Sequence, residues 1–115
     1  MSSGSSALYD FDETMSELEN TMGEAQRNLA SSSHRLVLER YLEEFKAPAG
    51  VGQPIERAMA AAAPAAEGLR EILVTAEREK WVDTDKLAQI DAAILRLRRV
   101  LLPVARAVQA AKPSD

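Results

Sequence analysis

The positions Leu8, Phe11, Met15, Leu18, Met22, Ala25, Leu29, Ser32 and Leu36 follow one another at alternating steps of three and four. That coiled-coil-like spacing places them on one side of a helix, with polar residues filling the wet side between them. The next apolar group, Val37, Leu38, Tyr41, Leu42 and Phe45, is also helical in spacing but does not continue the stripe. At about 100° per residue its centre lies roughly 150° to 180° around the axis from the Leu29 and Leu36 side. The apolar face therefore changes sides, and it does so at Ser31, Ser32 and Ser33. Serines compete for backbone hydrogen bonds and favour helix starts over helix interiors. Two readings stand. In one, the chain bends or breaks at Ser31–Ser33 and a serine caps a second helix from about His34 to Lys46. In the other, a single helix of about 40 residues, roughly 60 Å long, packs on different neighbours with its two halves.

Residues 47–54 contain two prolines and two glycines that deny a continuous helix, so a loop is expected over 47–53, with Pro54 as the first residue of the next helix. In that helix Ile55, Met59, Ala62, Ala66, Leu69, Leu73 and Ala76 form one stripe. Pro64 lies opposite it and should kink the helix without ending it. The alanines from Ala60 to Ala63 would let a partner backbone come close. The pattern lapses from Glu79 to Asp83, where Asp83 or Thr84 can cap the last helix and Trp81 with Val82 can staple its entry. In the last helix Leu87, Ile90, Ile94, Leu97, Leu101, Val104 and Val108 keep the heptad spacing, while Leu95, Val100 and Leu102 widen the apolar arc. So wide an arc implies a central helix or a second face for a partner. Pro103 should project from the outer side, with the seam running straight through it.

These stripes predict an all-α fold, an antiparallel three- or four-helix bundle with coiled-coil-like seams, the count depending on a bend or break at Ser31–Ser33. Residues 7–111 form one helical domain, and residues 1–6 and 112–115 are expected as disordered tails. Composition agrees with this. The chain has 115 residues, 46% of them hydrophobic and only 4% aromatic. That suits one thin core of close-packed helices. Cysteine is absent, which excludes disulfides and thiolate chemistry and suits a reducing cytoplasm, the expected location. The Ser- and Gly-rich start lacks the marks of a secretory signal, and the run Met59–Ala66 is too short to span a bilayer. Alanine- and arginine-rich usage hints at a bacterial source.

The net charge of −4 is unevenly spread. Asp10, Asp12, Glu13, Glu17, Glu19 and Glu24 precede any Lys or Arg, whereas Arg96, Arg98, Arg99, Arg106 and Lys112 near the other end face only Asp115. Oppositely charged terminal helices are expected to be neighbours, in one chain or in a dimer; the alternative is that each end recruits a different partner.

Little else carries chemistry. His34 is the sole histidine, so helical His-pair zinc motifs and Glu-x-x-His carboxylate motifs are missing, and a surface or capping role is expected for it. Asp10, Asp12 and Glu13 have the opening spacing of a calcium loop, but Met15 stands in place of its glycine and Thr21 in place of its glutamate. The acids are better read as a first helical turn complementing the dipole. The Gly50–Gly52 stretch reads as linker, and no base neighbours a serine for nucleophilic catalysis. No cofactor, metal, nucleic acid or small-molecule substrate is expected, and no enzymatic activity. The arginines lack interleaved aromatics for base stacking.

The expected function is therefore a non-enzymatic helical protein–protein interaction module: an adaptor, a chaperone-like protein for a helical client, or a subunit of a larger assembly. It would bind a protein partner or form a homo-oligomer through helix packing. The alternative is a peripheral lipid- or granule-surface protein with amphipathic helices on an apolar boundary, which makes a membrane surface the less favoured partner. Partner contacts are expected at Phe11, Met15, Met22, Tyr41, Phe45, Trp81, Arg96 and Arg99, chosen as adaptable methionines, aromatic anchors or exposed cations.

Overall fold

A computed structural model describes residues 3–80 and 83–113. They form α1 (Ser3–Arg27), α2 (Ser32–Glu43), α3 (Gln53–Glu79), α4 (Thr84–Val100) and α5 (Leu102–Ala111), with no strand among the described residues. The side-switch after Leu29 is a break between two helices, α1 and α2. The backbone N–H of Ser31 closes a turn onto the Asn28 carbonyl, and Ser31 then caps α2, its hydroxyl accepting from the His34 N–H. The stripe expected on the first helix accordingly stops at Leu29. Ser32 is exposed and Leu36 half exposed, because both belong to α2, which is turned about its own axis to bury Arg35, Leu38 and Leu42. α1 already runs from Ser3, inside the segment expected as a tail. Its first turn holds no acid, so Asp10, Asp12 and Glu13 do not serve the dipole as expected and lie further along the helix.

The helices run alternately up and down. Ser32 and Arg35 at the start of α2 meet Glu77 near the end of α3, and Tyr41 near the end of α2 reaches Glu17 in the middle of α1. Gln26 bonds Asp91, Arg98 pairs with Glu19, and Lys112 pairs with Asp12, so α4 and α5 return antiparallel to α1. The oppositely charged chain ends are thus neighbours within one molecule. α1 touches α2, α4 and α5, and α3 touches the same three, while α1 and α3 lie on one diagonal and α2 and α4 on the other. The cross-section is a square, in a body of 50 × 21 × 21 Å.

All seven apolar residues of the α3 stripe are buried, and Ile90, Ile94, Leu97, Leu101, Val104 and Val108 face them from α4 and α5. A fully buried Leu or Ile such as Leu69, Leu73, Ile90 or Ile94 contributes about 1.5–3 kcal/mol by leaving water. The two internal prolines behave differently. α3 continues through the exposed Pro64 as expected. The last helix instead divides at Leu101, because Pro103 has no N–H to give the Arg99 carbonyl. The seam survives the division, since the Leu101 and Ala105 N–H groups still bond the Leu97 and Leu101 carbonyls.

One corner of the square is only half helical. With 12 residues α2 is about 18 Å long, against about 40 Å for the 27 residues of α3. Residues 44–52 occupy the rest, so the loop starts earlier than expected and Phe45 follows α2 without belonging to it. Val51 is buried, with Phe45 and Ala47 packed beside the core. Flanking it, Gly50 and Gly52 adopt φ of 91° and 109°, conformations that favour glycine.

Candidate functional site

The edge where α1 meets α2 and its following loop carries three adjoining hollows. At one end lies the space among Asn20, Thr21, Glu24, Ser33, His34 and Val37. In the middle, Val37, Arg40, Tyr41, Glu43 and Glu44 border the second. The third, about 540 Å³, lies among Ala7, Asp10, Phe11, Thr14, Glu43, Glu44, Phe45, Lys46 and Pro48. The helical periods that build the core also build this edge. Inward-facing Arg35, Leu38 and Leu42 turn Val37 and Tyr41 toward α1, whose Thr14, Glu17, Thr21 and Glu24 lie on the side facing α2. The loss of helix after Glu43 lets Phe45 settle beside Phe11. The result is an apolar floor of Val37, Tyr41, Phe45 and the edge of Phe11. Its rim carries Asp10, Glu17, Glu24, Glu43 and Glu44, with Arg40 and Lys46 as the cations. The Tyr41 hydroxyl donates to Glu17 at 3.5 Å, and Glu24 pairs with Arg27 at 2.9 Å. Both carboxylates remain exposed.

The groove's position is fixed from below by Arg35. Its guanidinium, 7% exposed, donates to the Leu29 carbonyl at 2.7 Å and to Glu77 at 3.3 Å, and Glu77 also accepts from the Ser32 hydroxyl at 2.6 Å. One cation thus ties the end of α1, the start of α2 and the end of α3. At the same junction His34 Nδ1 lies 2.8 Å from the Ser31 hydroxyl. Arg35 was not singled out above because a hydropathy stripe passes over charges. The spacing of 35, 38 and 42 is the signal that would have found it.

The expected contact residues fall into separate groups. Tyr41 and Phe45 lie half-buried in the groove, and Phe11 forms part of its wall while being mostly core. Met22 is fully enclosed and spends its surface within the bundle. Met15 is half-buried in a different hollow, between α1 and α5, with Leu102 and Arg98. Arg96 and Arg99 are exposed on α4, away from the groove. Trp81, with the expected staple at Val82, lies outside the described residues.

The outer side of α4 and α5, beside α1, presents Leu95, Arg99, Leu102 and Arg106 at steps of four, three and four, a stripe that crosses the division at Leu101 and whose Leu102 also borders the hollow between α1 and α5. Leu95 and Leu102 are 50% and 54% exposed. No acid lies in this stripe, and Arg96, Arg99 and Arg106 make no ion pair with another described residue. No three His, Asp or Glu side chains among the described residues converge as a metal site would require. No described helix is long and apolar enough to cross a membrane. Comparison with protein-family models, with curated proteins and with solved structures finds no match for this chain.

Proposed function

We propose that the protein is a non-enzymatic interaction module that docks a helical segment of another protein in the groove between α1 and α2, as an adaptor, a chaperone-like protein or an assembly subunit. The carrying observation is the row of partly exposed apolar side chains, Val37, Tyr41 and Phe45, lying under exposed carboxylates along one edge. A helix laid along such an edge buries its apolar anchors on the floor while Lys or Arg flanking them meet the rim, the usual division between affinity and orientation in groove recognition. The lack of cysteine supports work in a reducing compartment, the cytoplasm.

The test is capture from the native host with three baits: wild type, Val37→Asp with Tyr41→Asp, and Glu71→Lys on the exposed side of α3. The reading expects a partner retained by wild type and by Glu71→Lys and lost by the groove variant. An identical set of captured proteins on all three baits would remove the groove from consideration.

A second reading has its own observation. Half-exposed Leu95 and Leu102 beside Arg99 and Arg106, which pair with no acid among the described residues, suit an anionic lipid or granule surface. Flotation with vesicles containing anionic lipid tests it, with Arg99→Glu and Arg106→Glu expected to abolish binding.

A further inference from the structure

We propose that the occupant of the α1–α2 groove is the α4–α5 outer face of a second copy of this chain, so that copies associate head to tail; the inference rests on the groove reading above. Charge complementarity is the first ground. Along the groove the exposed acids Asp10, Glu17, Glu24, Glu43 and Glu44 outnumber the cations Arg27, Arg40 and Lys46, whereas the outer side of α4 and α5 bears Arg96, Arg99 and Arg106, exposed and without an ion-pair partner among the described residues.

Spacing is the second. On α1 the outward positions Glu13, Glu17, Asn20 and Glu24 follow steps of four, three and four, the same steps as Leu95, Arg99, Leu102 and Arg106. Arg99 and Arg106 lie seven residues apart, as do Glu17 and Glu24, which is about 10 Å along a continuous helix, with the division at Leu101 falling between the two arginines. Beside the acidic positions, on α2, lies Val37, 49% exposed, an apolar counterpart for the half-exposed leucines.

Topology is the third. α2 touches neither α4 nor α5, although α1 touches both, so the basic stripe does not reach Val37 and Tyr41 within one chain. Because the two surfaces differ, the contact is heterologous and each pair of copies keeps one free groove and one free stripe, giving chains or a ring.

Sedimentation velocity of the full chain over a range of concentrations tests this. Wild type is expected to shift to multiples of the monomer as concentration rises, and to return toward monomer in high salt, where screening shortens to a few ångströms. Arg99→Glu with Arg106→Glu, and separately Glu17→Arg with Glu24→Arg, should each weaken association by about tenfold or more, since each sets like charges face to face. Mixing the two variants should restore it, because every contact between unlike variants again joins opposite signs. Unchanged far-ultraviolet circular dichroism keeps misfolding from imitating the loss.

A wild type monomeric throughout, or variants that associate as wild type does, would overturn the proposal. So would a monomer that binds anionic vesicles through Arg99 and Arg106. A monomeric wild type that still captures a partner through Val37 and Tyr41 removes the second copy while leaving the groove reading standing; loss of both results removes both.

Discussion

The two ends of the bundle are closed by different means. At one, the junctions of α1 with α2 and of α3 with α4 are held by polar side chains: Arg35 bonds Leu29 and Glu77, Ser31 caps α2, Asp83 caps α4 through the Lys86 N–H, and Lys86 pairs with Glu79. At the other, helix gives way to residues 44–52, and closure comes from a buried Val51 between two glycines of positive φ. The first end fixes angles through directional bonds. The second fills space and leaves a hollow beside Phe45. The groove thus begins on a hydrogen-bonded junction and ends on an irregular segment.

The contrast is broken most severely by Arg35→Ala. It removes a nearly enclosed cation from a carbonyl and a carboxylate, and should cost about 3 kcal/mol in urea unfolding, at the lower end for a broken buried pair because Glu77 keeps some access to water. Gly52→Ala comes next, at about 2 kcal/mol. A Cβ there would meet only Pro54 at an ordinary 3.8 Å, so the cost is one of backbone conformation at φ of 109°, measurable by thermal unfolding. Ser31→Ala should cost about 1 kcal/mol through the lost cap, and hydrogen exchange should report it first in the amides of the initial turn of α2.

The smallest expected change sharpens the comparison in the other direction. The polar end contains the one positive-φ residue that is not glycine among the described residues, Lys80 at 57°, closing α3. Lys80→Gly should stabilise by about 0.5–1 kcal/mol, since glycine takes the left-handed position after a helix without strain. If Lys80→Gly destabilised instead, the side chain of Lys80 would have to contribute more than its backbone costs.

Periodicity revealed the core well where a single rule acts over many turns. The stripe from Ile55 to Ala76 and the seam from Ile90 to Val108 are buried as spaced, because a residue's side of a helix depends only on its neighbours along the chain. The break near Ser31 was legible for the same reason, as a phase change beside residues that cap. Arg35 was hidden because its burial depends on Glu77, 42 residues away. Val51 was hidden because a lone apolar residue between glycines has no period. The groove was legible in its aromatics, Tyr41 and Phe45, and not in its shape, which follows from α2 ending at Glu43 and from which faces of α1 and α2 meet. Met22 illustrates the converse: its residue type suits an adaptable surface, yet its place in the stripe with Leu18 and Ala25 encloses it.

The missing backbone hydrogen bond at Pro103 has a mechanical meaning. α4 and α5 form one stiff rod with a single soft joint, and the joint lies between Leu95 and Leu102 and also between Arg99 and Arg106. The separation within each pair is thus governed by one bend angle. A body holding both leucines and both arginines at once would therefore fix the angle between α4 and α5.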